Sequence, residues 1–127
     1  IIDAGGDDAG AAALGRYAAK LQKAGYAMLY VVNRSRNLTG TPEDAAQILS
    51  EIEAASHLKG SFLVNNTNFG RETAAMDIEQ SVEYAARVSA LTGLPLLATC
   101  VLKGCEEAEV PEPFPVELLV KFPWEPA

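Results

Sequence analysis

Three clusters of polar residues in this chain follow directly on apolar runs, and they hold most of the side chains with chemical potential. The first is Asp3-Ala4-Gly5-Gly6-Asp7-Asp8, after Ile1-Ile2. A carboxylate at the end of an apolar strand can hold a hydrated magnesium ion beside the phosphates of a nucleotide, which gives Asp3 a metal role. Gly5 and Gly6 let a backbone approach a phosphate that a Cβ would hold off. The competing reading is local: Asp3 and Asp7 or Asp8 cap the helix that follows, and the glycines make a tight turn. The second cluster, Asn65-Asn66-Thr67-Asn68, offers amides that both donate and accept, as the edge of a purine base requires. Asn also favours turns through hydrogen bonds to nearby backbone, so that alternative stands beside it. In the third, Asn33, Arg34 and Arg36 make a positive spot in an acidic chain, suited to a phosphate, to an acidic partner, or simply to solvent.

Other chemistry has less to work with. His57 is the one histidine, placed near a helix end with no serine or cysteine motif beside it, and takes no catalytic role. Cys100 and Cys105 have four residues between them, which fits neither a redox C-x-x-C pair nor a paired zinc set. Cys100 reads as a core residue and Cys105 as a free thiol. No G-x-x-x-x-G-K-[ST] phosphate loop occurs, so no complete catalytic apparatus is legible in the chain.

The elements that must position these clusters alternate between strand and helix. Ile1-Ile2 reads as the end of a strand, followed by a helix carrying Leu14, Tyr17, Ala18 and Leu21 at helical spacing and closed by Gly25. Residues 26–32 form a near-continuous apolar run, the pattern of a parallel strand covered on both faces. Thr41-Pro42-Glu43-Asp44 starts a second helix with a capping hydroxyl, a proline at its first position and two carboxylates in its first turn, running to about His57. A strand over 61–65, a helix over 74–91 ending at Gly93, and a strand over 96–101 complete the series. This predicts a three-layer α/β/α domain with a mainly parallel sheet over residues 1–105, P-loop NTPase-like but incomplete. Residues 106–127, punctuated by five prolines, read as an irregular arm with one edge strand in the apolar run 116–122. In such a sheet, ligands bind beyond the carboxyl ends of the strands, where all three clusters fall.

A length of 127 residues with 49% apolar content can bury one core. The net charge of −7 and the lack of a basic run argue against direct nucleic-acid binding. No apolar stretch approaches the ~20 residues of a membrane span, and no signal segment opens the chain, so the expected location is cytoplasmic. The start at Ile1-Ile2, without Met or a polar lead-in, reads as a cut inside a larger protein.

Ile1-Ile2-Asp3-Ala4-Gly5-Gly6-Asp7 resembles the Walker B and switch II segment of the MinD/ParA-like (SIMIBI-class) P-loop ATPases. Leu63-Val64-Asn65-Asn66-Thr67 is similar to that family's strand whose terminal Asn recognises adenine, and Leu94-Pro95-Leu96-Leu97-Ala98-Thr99 to the later strand leading to the other side of the base. With the terminal Pro123-Trp124-Glu125, the set looks like a group of bacterial ATP-binding proteins of this branch. The resemblance covers about residues 1–101. It implies that Asp3 is the magnesium aspartate (through water), Gly5 and Gly6 the γ-phosphate sensor, and Asn65, with Asn66 beside it, the base-reading position. The cofactors it implies are ATP and Mg in a parent protein, with none bound to this chain alone. The family's phosphate loop lies upstream of these segments, and a chain without it lacks the groups that position and neutralise phosphates, so by itself it should be inactive. A sheet deprived of neighbours exposes an edge and apolar surface, which predicts self-association. The alternative is a non-catalytic α/β module that binds a small molecule or a protein.

Overall fold

The computed structural model describes residues 1–119 and 123, and Asp8 by its backbone alone. The apolar runs become four strands, β1 (Leu29–Val32), β2 (Phe62–Asn65), β3 (Leu96–Leu102) and β4 (Pro113–Val116). They lie in the order β1-β2-β3-β4 and every neighbouring pair is parallel. The helices are α1 (Asp8–Gly15), α2 (Ala18–Ala24), α3 (Pro42–Ser56) and α4 (Ala75–Thr92). The chain is thus α/β on an all-parallel sheet, as its pattern predicts and as a three-layer fold requires.

Helix boundaries follow local chemistry. Thr41 Oγ1 accepts from the Asp44 amide at 3.1 Å to start α3, with Pro42 in the first position, where a missing N–H costs nothing. Asp77 accepts from the Ala74 amide at 2.8 Å at the start of α4, and Gly93 closes it with φ 76°, a conformation glycine adopts without a Cβ penalty.

A strand order that advances one step at a time has a consequence for layering. Right-handed crossovers in one direction all pass over the same face. Accordingly α3 and α4 pack together, Ala11 of α1 joins them, and one cluster unites Tyr30, Val32 and Leu63 with Leu49, Ile52, Ala85 and Val88. The helixless link from β3 to β4 takes the same side, since the Glu109 amide meets Glu79 of α4 and Cys105 packs with Ile78. Among the described residues, the opposite face carries no helix layer. Register and alternation place Leu29, Val31, Phe62, Val64, Ala98, Cys100 and Phe114 there.

Several expectations are corrected. Ile1 and Ile2 form no strand and are exposed, because the free edge of β1 is not paired with them. The first helix is two: Arg16 and Tyr17 donate to Ala13 and Leu14, tightening the turn after Gly15. Gly15 lies so close to α3 that a Cβ would sit 2.9 Å from the Ala55 carbonyl oxygen. The edge strand is at 113–116 rather than within 116–122, of which 120–122 lie outside the described residues. Two prolines suit it, because Glu112 and Val116 direct their carbonyls at β3, so Pro113 and Pro115 turn their missing N–H groups to the open edge. Cys105 is a free thiol as expected but is the buried cysteine, 4% exposed, while Cys100, expected in the core, is a half-buried free thiol on the other face.

Candidate functional site

The ends of β1 and β2 meet at the carboxyl edge of the sheet, and hydrogen bonds tie the loops beyond them into one unit. The Asn66 amide donates to the Val32 carbonyl at 2.8 Å, continuing the ladder past both strands. The Arg34 amide donates to Thr67 Oγ1 at 3.0 Å, and Asn33 Nδ2 donates to the Asn68 carbonyl at 3.3 Å. Asn33 Oδ1 in turn accepts from the amides of Ser35 and Asn68. Thr39 Oγ1 donates to the Asn33 carbonyl, and Tyr84 of α4 donates to the Thr39 carbonyl, so helix packing also fixes the first loop. Burial pushes the Tyr84 hydroxyl above its ordinary pKa, which keeps it a donor.

The two asparagines expected to read a base have opposite environments. Asn65 is wholly buried. Its Oδ1 accepts from the Thr67 hydroxyl at 2.8 Å and the Thr67 amide at 3.3 Å, and its Nδ2 donates to Ser81 of α4 at 2.8 Å. Both acceptor positions of the amide are therefore used inside the fold. Asn66 is half-buried, and its side-chain amide makes no hydrogen bond among the described residues. The amide left open at this edge is that of Asn66.

The first polar cluster is built differently. Asp7 Oδ1 accepts from the Gly10 amide at 2.8 Å, capping α1, which is the local role weighed for the cluster's aspartates. Asp3, Gly5 and Gly6 are exposed in the segment before that cap. A Cβ on Gly10 would fall 2.4 Å from the Gly5 carbonyl oxygen, so the helix start lies directly over Gly5 and Gly10 must remain glycine. No hydrogen bond among the described residues joins Asp3, Gly5 or Gly6 to the loops after β1 and β2. No group of three acidic, histidine or cysteine side chains is placed to hold a metal ion there or elsewhere among the described residues.

On the β3 side of the same edge lies an open cavity of about 340 Å³, lined by Gly70, Arg71, Thr73, Lys103, Cys105 and Leu118 among others. Lys103 stands 3.8 Å from Glu117, an exposed pair of little energetic weight. Cys105 donates to the Thr73 carbonyl at 3.3 Å. Burial, with the carboxylates of Glu107, Glu106 and Asp77, pushes its thiol up, so it is a structural donor rather than a nucleophile. Spacing alone could not show the participation of Ser81 and Thr73, which depends on tertiary packing, whereas Thr67 and Gly10 act on near neighbours in the chain. The Pro123-Trp124-Glu125 segment lies largely outside the described residues.

Comparison of the chain with protein-family models, curated proteins and solved structures finds no match.

Proposed function

We propose that this chain supplies part of a nucleotide site: the aspartate-glycine segment that approaches magnesium and phosphate, and the asparagine edge that meets the base. The observation that carries the reading is the carboxyl edge of the sheet, where two loops are locked together and leave the Asn66 amide open. In this reading Asn66 donates to and accepts from the base, while Asn65, tied to Thr67 and Ser81, holds the loop in place. Asp3 orients a hydrated magnesium ion, and Gly5 and Gly6 bring backbone amides to the γ-phosphate. ATP and Mg belong to a longer parent that provides the phosphate loop; this chain alone binds and hydrolyses neither to any useful extent. Copies of the chain associate with each other.

A second reading is a non-catalytic α/β binding module. It is favoured by one observation, that Asp7 caps a helix instead of facing a ligand. Calorimetric titration with ATP and Mg separates the two, using this chain beside the extended parent that the nucleotide reading requires. The nucleotide reading predicts binding in the extended protein alone, weakened at least roughly tenfold by Asp3→Asn. An extended protein that ignores ATP would overturn it and leave the binding-module reading.

A further inference from the structure

β1 and β4 are the two outer strands of the sheet, and their free edges differ. On β4 the outward positions are Pro113 and Pro115, which have no N–H to offer a further strand. On β1, Leu29-Tyr30-Val31-Val32 has neither proline nor charge, the usual devices that close an open edge. The Phe62 amide donates to the Met28 carbonyl at 3.2 Å and the Asn66 amide to the Val32 carbonyl at 2.8 Å. Alternate residues of a strand face the same neighbour, so the N–H and C=O groups of Leu29 and Val31 point away from β2. No hydrogen bond among the described residues reaches them.

The helices indicate what belongs there. α3 joins β1 to β2, and α4 joins β2 to β3. α1 packs against α3, and α3 against α4, so the layer runs α1-α3-α4. Helix axes lie about 9 Å apart and strands about 4.8 Å, so α1 overhangs the β1 edge by the width of one or two strands. Its direction is fixed too. Gly15, at the end of α1, is so close to the end of α3 that a Cβ would meet the Ala55 and Ser56 carbonyl oxygens at 2.9 and 3.4 Å. α1 therefore runs parallel to α3 and antiparallel to the strands, as a crossover helix does. Residues 9–15 carry no charge, yet Ala9, Ala12 and Ala13 are exposed and Leu14 is half-buried, the composition of a helix that is normally covered. A right-handed crossover over this face reaches β1 only from the side away from β2.

We infer that the free edge of β1 is a slot for a further parallel strand, roofed by α1 and filled by the segment that leads into α1 in the longer parent. A second copy does not fit it. Pairing two β1 edges about a twofold axis turns both helix layers to the same face and drives one overhanging α1 into the other. The slot also sets the polar segment 3–8 at the carboxyl edge, because α1 starts at the same end of the sheet as α3. From the functional reading the inference takes only the longer parent, and it involves no nucleotide, so either can fail while the other stands.

Amide exchange followed by NMR, in this chain and in the parent at low protein concentration, tests it. In this chain Leu29 and Val31 should exchange freely, while Tyr30, Val32 and Phe114, whose amides face a neighbouring strand, are protected. In the parent, exchange at Leu29 and Val31 should slow at least roughly a hundredfold. Nuclear Overhauser contacts should then place beside them a strand from ahead of α1, running parallel to β1. Free exchange of both amides in the parent, protection of both already in this chain, or contacts to an antiparallel strand or to a second copy would each overturn the inference.

Discussion

The two faces of this sheet are made from similar residues and live in different surroundings. Tyr30, Val32 and Leu63 point to the helices and are 8% exposed or less, whereas Leu29 and Val31, their immediate neighbours in β1, are about half exposed. A strand's sequence sets how apolar each side is, and the connections then decide which side is covered. Crossovers in one direction put α3 and α4 over one face, where Ala11 of α1 joins them.

The contrast can be broken most severely on the covered side. Leu63→Ala, at a position with no exposure, should cost about 2–5 kcal/mol in urea unfolding, since the cavity cannot collapse between β1, β3 and the helices. A loss below about 1 kcal/mol would mean that the covered face is loosely packed. Asn65→Ala removes the acceptor of two Thr67 bonds and the donor to Ser81, all buried. It should cost roughly 2–3 kcal/mol by the same assay.

Thr99 sharpens the comparison in the other direction. It is 1% exposed, and its hydroxyl has no hydrogen-bond partner among the described residues. Thr99→Val should be neutral or stabilise by up to about 1 kcal/mol, because the unpaired hydroxyl is already desolvated. A clear loss of stability would show that a bound water or ligand satisfies it. On the bare face, Val31→Ala should change stability at low protein concentration by no more than about 0.5 kcal/mol. The smallest effect is kinetic: Cys100 should react with a thiol reagent before Cys105. Burial raises the pKa of both thiols, but only Cys105 is also surrounded by carboxylates and almost wholly enclosed.

Much of this architecture was legible in advance. Thr41, Pro42 and Gly93 carry their positions in their chemistry, and the strands over 61–65 and 96–101 fall within a residue of where the apolar runs place them. The carboxyl-edge location of Asn33, Asn65 and Asn66 followed from the βα order. What spacing could not provide was direction. A continuous apolar run does not say which face receives the helices, so the bare side was invisible. Adjacent asparagines do not reveal which amide is consumed, since Ser81, the partner of Asn65, comes from a helix 16 residues away. The burial of the cysteines was missed for the same reason: Cys105 follows its strand, yet the link to β4 folds it under α4.

The most direct test of the proposed nucleotide site compares the two asparagines in the longer parent that the proposal requires, measuring ATP–Mg affinity and urea stability together for Asn65→Ala and Asn66→Ala. The account predicts that Asn66→Ala weakens nucleotide binding roughly tenfold at unchanged stability, while Asn65→Ala chiefly loses stability. Full affinity in the Asn66 variant, with nucleotide binding lost in an equally stable Asn65 variant, would contradict it.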